Sequence, residues 1–287
     1  MNKDLQLSIN TFLNLVEVFK ANGWEIPTAE AGMESRFNRF CERLSLLDKS
    51  EQCLVIELSK HFTIINANDY LQLIIKLLDR LHSENIAMLQ QTQKFFILPL
   101  LAPKDFEKTK SSNFVWYYFH NEAVKYSPFF MGKALIHCDI KKASWVKNIK
   151  ANETVILVDD YIGSGETAVE AVSWLSSTFD IDSKQIVILA IAAQKQGLQR
   201  ITDETSATVY SYYNFMRGIS DFYSGGQLAS YIQTMNMIED KLNVDRDYRF
   251  GYNRSEALIS LIRTPNNTFP VFWKPYGKEQ TAPFLRD

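Results

Sequence analysis

Apolar residues recur at helical spacing near the start of the chain, at Leu5, Ile9, Phe12, Leu13, Val16 and Phe19, and the pattern stops before Asn22 and Gly23. A period close to 3.6 with a glycine just past its end predicts an amphipathic helix. Phe37, Phe40, Cys41, Leu44 and Leu47 predict a second. Asn68 or Asp69 is placed to cap a longer one running through Tyr70, Leu73, Ile74, Leu77, Leu78 and Leu81, since a short polar side chain there can accept from the free amides of the first turn. The first ninety residues read as all-helical.

After a polar stretch at residues 82–93 the pattern changes, and short apolar runs alternate with amphipathic ones. Residues 95–100, 134–138, 155–158, 186–192 and 208–210 are strand candidates, with helical patterns between most of them. Such alternation predicts βαβ units and a mainly parallel sheet. The expected division is a helical domain at 1–89 and an α/β domain at 90–287.

Length and composition narrow the picture without changing it. With 287 residues the chain can bury one α/β core of roughly 200 residues and still carry an appendage. A formal net charge of −2 provides no global attraction to a polyanion, so nucleic acid is not the expected partner. Cys41, Cys53 and Cys138 are odd in number and widely spaced, unlike a disulfide framework or a CxxC metal site. The four histidines, His61, His82, His120 and His137, lack metal-ligand spacing. No apolar leader or membrane-spanning run stands out, and a cytoplasmic location is expected.

The chemistry concentrates at residues 155–167. Val155, Ile156, Leu157 and Val158 suit a strand buried on both faces, which the following Asp159 and Asp160 would end at its C-terminal edge. Tyr161, Ile162, Gly163, Ser164, Gly165, Glu166 and Thr167 follow, then a helix-forming stretch. Backbone amides at a turn entering a helix, with the helix dipole behind them, make an anion site. Gly163 and Gly165 allow close approach to that anion, and the hydroxyls of Ser164 and Thr167 can donate to it. The two carboxylates can accept from vicinal ribose hydroxyls or meet a hydrated Mg2+. Sugar and phosphate together indicate a ribose phosphate.

Three other readings of this segment stand beside that one. Four apolar residues and two acids resemble a Walker B strand, but no GxxxxGK[ST] precedes them. Gly163, Gly165 and Ala168 fit a GxGxxA dinucleotide pattern, yet four residues separate the apolar run from the first glycine. A buried strand with a polar turn and no ligand is the third, although an acid pair with glycines and hydroxyls exceeds what a turn requires.

Residues 155–167 resemble the 5-phosphoribosyl-1-pyrophosphate (PRPP) signature of type I phosphoribosyltransferases. The resemblance implies that Asp159 and Asp160 hold the ribose hydroxyls and that residues 163–167 hold the 5'-phosphate. Gly163 departs from the family's small hydroxyl residue, and Glu166 stands where small residues are common. The layout from residue 90 onward, with Gly251-Tyr-Asn-Arg-Ser-Glu-Ala-Leu258 and the segment from Thr264 to Trp273, is similar to a divergent phosphoribosyltransferase-like group of bacterial conflict systems, including some retrons.

A phosphoribosyl transferase must also grip the departing pyrophosphate, so cations after an earlier strand are expected. Lys104, Lys108 and Lys110 lie there with Ser111 and Ser112, although a solvated surface turn accounts for them equally well. Asn266 and Asn267, with Phe269, Phe272, Trp273 and Tyr276 behind them, offer amides and ring faces to a planar base, or else belong to the core. The family's long mobile lid has no counterpart in the short interval between Asp139 and Glu153, where Trp145, Val146 and Ile149 among Lys141, Lys142, Lys147 and Lys150 suggest a helix. The expected function is Mg2+-dependent binding of PRPP or a related ribose 5-phosphate compound, with phosphoribosyl transfer or pyrophosphate release, in a defence-system effector. The alternative is a non-catalytic nucleotide sensor whose N-terminal helices meet a protein partner.

Overall fold

The computed structural model describes residues 7–27, 35–84, 86–139, 149–277, 282–284 and 286. Three helices come first: α1 (Ile9–Ala21), α2 (Arg36–Ser45) and α3 (Lys49–Ser59). Ser8 and Ser35 cap the first two by accepting from Thr11 N and Asn38 N, and Asp48 with Glu51 forms a capping box on the third. A two-residue strand β1 (Thr63–Ile64) interrupts the expected all-helical run. The longer helix follows as α4 (Tyr70–Ser83), then a short α5 (Ala87–Gln91).

Next come β2 (Lys94–Pro99), α6 (Ser111–Tyr118), α7 (Glu122–Lys125), β3 (Ala134–His137) and β4 (Glu153–Ile162). The chain continues through α8 (Glu166–Phe179), β5 (Ile186–Gln194), α9 (Lys195–Glu204) and β6 (Thr208–Phe215). It ends with α10 (Gly225–Lys241), β7 (Ile259–Ser260) and α11 (Pro270–Trp273). Each of the five strand candidates read from the sequence is therefore a strand.

These five strands form one parallel sheet in the order β3-β2-β4-β5-β6. The chain leaves β2 toward β3 on one side and resumes at β4 on the other. The order thus reverses between β2 and β4, and in open parallel sheets ligands bind outside the carboxyl ends of the strands at such a reversal. One face of the sheet packs Leu157 and Ile188 against Ala171, Leu175 and Ile201 of α8 and α9. Helices α4 and α6 pack against the sheet as well, α4 on β5 and β6 and α6 on β2 and β4.

The chain divides into two compact units, one made of Met1–Ile65 with Met216–Asp287 and the other of Asn66–Phe215. The boundary expected near residue 90 falls inside the second unit. The apolar stripe of α4, with Tyr70, Leu73, Ile74, Leu77, Leu78 and Leu81 buried, belongs to the sheet and not to a separate helical domain. In the first unit Leu15, Phe19, Phe40, Phe62, Phe272 and Phe284 share a core, and β1 pairs with β7 in parallel, Thr63 opposite Ile259.

Candidate functional site

The site is built where β2 stops and β4 continues. The last pairing of β2 with β4 is Pro99 opposite Val158, after which Leu100 N donates to Val158 O at 2.9 Å. On its other side β4 stays paired with β5 through Asp159, Tyr161 and Ile162, opposite Ala190, Ala192 and Ala193. The acids therefore lie inside the end of a ten-residue strand, not just past a four-residue one, because β5 keeps supplying partners after β2 has ended.

Asp160 is buried, and its Oδ2 accepts from the hydroxyl of Tyr70 at 2.9 Å. Tyr70 is fully buried at the start of α4, with its ring against Phe114 and Tyr118. Asp159 Oδ1 accepts from the backbone N of Asp160 at 2.8 Å. Asp159 keeps a minor part of its surface accessible but lies deep among protein atoms. That burial, reinforced by the neighbouring Asp160, holds its carboxyl well above the usual carboxylate range. A group in this state favours a ligand that satisfies it, either a hydroxyl donor or a cation.

The turn from β4 into α8 follows directly. Gly165 stands at the N-cap of α8 with φ 77° and ψ −7°, a left-handed conformation that a side chain would strain. Its carbonyl accepts from Val169 N at 3.0 Å, opening the helix. The first amides of α8 have no intrahelical acceptor, and no side chain caps them. Ser164 and Thr167 are half-buried, and among the described residues neither hydroxyl is committed to a hydrogen bond. A helix N-terminus with two such hydroxyls beside it is chemically suited to an anion.

A second backbone holds this loop in place. A Cβ on Gly165 would stand 2.6 Å from Gly197 O, and one on Gly197 would stand 2.3 Å from Gly163 O. Only two glycines let the loop and the first turn of α9 meet this closely.

The cations expected at a pyrophosphate grip lie close by but are engaged. Lys104 Nζ is 2.9 Å from Glu170 and 3.6 Å from Glu166, both on α8. Its ammonium is held above its usual range mainly by the hydrogen bond to Glu170. Lys108 and Lys110 both face Asp105, at 2.8 and 3.3 Å. Burial works to raise Asp105, and the two lysines outweigh it and hold its carboxyl below the ordinary range. All three lysines are more than a third exposed. Pairs of this kind contribute little and can be exchanged for an incoming anion. Lys104 also offsets Glu166, whose charge at the helix start would otherwise oppose a phosphate.

Asn266 and Asn267 are placed in the other unit, in a turn interlocked with the loop after Phe250. Asn267 donates through Nδ2 to Tyr252 O and Ser255 Oγ, and Asn266 O accepts from Tyr252 N. Phe269 and Phe272 are core residues, and Trp273 Nε1 donates to Thr268 O. His120 and His137 stack at 3.9 Å between ring centroids. Among the described residues no group of three or more His, Cys, Asp or Glu could hold a metal by itself, and no helix is long and apolar enough to cross a membrane. The lid interval reading, with Lys141, Lys142, Trp145, Val146 and Lys147, lies outside the described residues.

Three residues at this edge escaped the motif: Tyr70, Gln194 and Gly197. Tyr70 comes from a helix far upstream and left no signal of its role. Gly197 did leave a faint one, since a glycine inside a helical pattern costs helix stability and invites a packing reason.

Comparison with curated proteins finds no match. A family model described as PRTase-CE matches residues 39–285, which takes in the whole parallel sheet, the acid pair and the turn into α8. The chain carries a phosphoribosyltransferase-like domain and belongs to the PRTase-CE family.

Proposed function

We propose that the protein binds PRPP, or a closely related ribose 5-phosphate compound, at the carboxyl end of β4 with the help of Mg2+. The supporting observation is the succession along one chain of Asp159 and Asp160 at the strand end and the open cradle of residues 163–167 at the start of α8. The order along the chain is that of a sugar followed by its 5'-phosphate. Asp159 and Asp160 would accept from the ribose hydroxyls, while Ser164, Thr167 and the free amides of α8 would donate to the phosphate.

The donor set fits Mg2+. Adjacent carboxylates present oxygen only, and the ion completes its shell with water and ligand oxygens. When bound, Mg2+ would neutralise charge on the pyrophosphate. Lys104 and Lys108, released from their carboxylates, would bind the outer pyrophosphate oxygens, and Tyr70 would keep Asp160 oriented. Phosphoribosyl transfer or pyrophosphate release is the reaction, in a defence-system effector of the conflict-system type.

A second reading is favoured by one observation. The lysines are tied to Glu166, Glu170 and Asp105, so the ligand can be held without its pyrophosphate being expelled, as in a sensor. A partner would then meet α1, where Ile9, Phe12 and Leu13 remain exposed. The test is incubation of the pure chain with PRPP, Mg2+ and common bases, following pyrophosphate and nucleotide, with calorimetry alongside. Product formation supports the enzyme, binding without product supports the sensor, and neither binding nor product contradicts both.

A further inference from the structure

At the junction of β5 and α9, next to the loop of residues 163–165, lie buried polar side-chain atoms without a hydrogen-bond partner among the described residues. Gln194 ends β5 and stands at the N-cap position of α9 without its side chain capping the helix; it is fully buried, and neither its Oε1 nor its Nε2 has a hydrogen-bond partner among the described residues. The hydroxyl of Tyr161 is buried and unpartnered too. It lies next to the Gln194 side chain; burial, the larger effect, raises its pKa, and the pull of that side chain lowers it. Unsatisfied buried polar groups are costly, and a hydrophobic residue of similar size would remove the cost. Three residues further on, Gly197 is the residue whose Cβ would stand 2.3 Å from Gly163 O and 3.1 Å from Gly165 N.

We infer that the β5–α9 junction is the seat of the phosphate cradle, with Gly197 and Gln194 as its positioning residues. Gly197 sets how deeply the loop of residues 163–165 rests on α9. Gln194, with Tyr161, keeps a polar floor under that loop, with donors and an acceptor free to meet its backbone when a phosphate draws it into place. This inference rests on the ribose 5-phosphate reading of the cradle and adds residues outside its motif.

A purely structural role and a positioning role predict opposite things for Gln194→Met. Removing an unsatisfied amide from a packed interior stabilises the free protein, whereas a residue retained for a site is replaced at the expense of binding. The experiment compares the full-length chain with Gln194→Met, Tyr161→Phe and Gly197→Ala, measuring melting temperature without ligand and affinity for ribose 5-phosphate and inorganic phosphate by calorimetry. The expected result is that Gln194→Met and Tyr161→Phe melt higher than the wild type, while Gln194→Met binds both probes about tenfold more weakly. Gly197→Ala is expected to lose at least as much affinity, because its methyl group displaces the loop. If the wild type binds and Gln194→Met binds equally well, or melts lower, the inference is overturned and the reading of the cradle stands. If the wild type binds neither probe, that reading falls and this inference falls with it.

Discussion

Asp159 carries the heaviest electrostatic strain at the site, through burial first and Asp160 second. Because its carboxyl is held well above the ordinary range, a ligand that needs it ionised binds against that raised proton affinity. Affinity for PRPP with Mg2+ is therefore expected to rise with pH up to that raised value, with proton release on binding. Calorimetry in buffers of different ionisation enthalpy measures the release, and a heat independent of buffer contradicts it. Glu239 on α10 makes a second test. It is fully buried, accepts from Phe250 N at 2.7 Å and has Arg249 at 3.5 Å. Burial pushes its pKa from 4.5 up to about 7, against the pull of Phe250 N and Arg249. The folded state thus binds more protons than the unfolded state across that window, and stability falls as pH rises from 4.5 toward 7 and then levels off. Glu239→Gln should flatten this dependence and stabilise the unit at neutral pH by up to about 3 kcal/mol; urea titrations at several pH values would show it, and an unchanged pH slope would count against it. At this scale the placement of Asp159, Asp160, Ser164 and Thr167 at one strand-to-helix junction was legible because they lie close together in the sequence. Tyr70 was not, since nothing in a helical stripe tells which tyrosine will reach an acid ninety positions away.

At the scale of elements, the cradle is a strand, a left-handed glycine and a helix start, and its shape depends on Gly165. Gly165→Ala must hold an alanine at φ 77° and bring its Cβ to 2.6 Å from Gly197 O. The expected result is a loss of about 1–3 kcal/mol of stability together with most of the phosphate affinity. A variant as stable and as tightly binding as the wild type would show that the loop is not fixed in this way. The five sheet strands and the three principal N-terminal helical patterns were readable from periodicity, because apolar runs and 3.6-residue stripes reflect burial directly. The extension of β4 through Asp159 and Asp160 was not, since it depends on β5 continuing to offer partners beyond the apolar run.

For the molecule as a whole, the second unit is inserted between the two segments of the first. Sequence reading missed this because β1 and β7, which join those segments, are two residues each and leave no pattern to read. The consequence is testable by truncation. A fragment of residues 90–287 lacks α4 and with it the cover on β5 and β6 as well as the Tyr70 bond to Asp160. It is expected to be insoluble or to melt without cooperativity, whereas a soluble, cooperatively melting fragment would restore the boundary near residue 90. The central claim is that Asp159 and Asp160 hold the ribose of a PRPP-like ligand. Its most direct test is a calorimetric titration of PRPP with Mg2+ into the wild type and into Asp159→Asn combined with Asp160→Asn, with melting curves of both. Charged hydrogen bonds contribute about 1.5–3 kcal/mol each, so the double variant should bind about a hundredfold more weakly or worse while melting no lower, since a buried carboxyl pair is removed and an asparagine at 160 keeps an acceptor for Tyr70. A folded double variant that binds PRPP as tightly as the wild type would contradict the account.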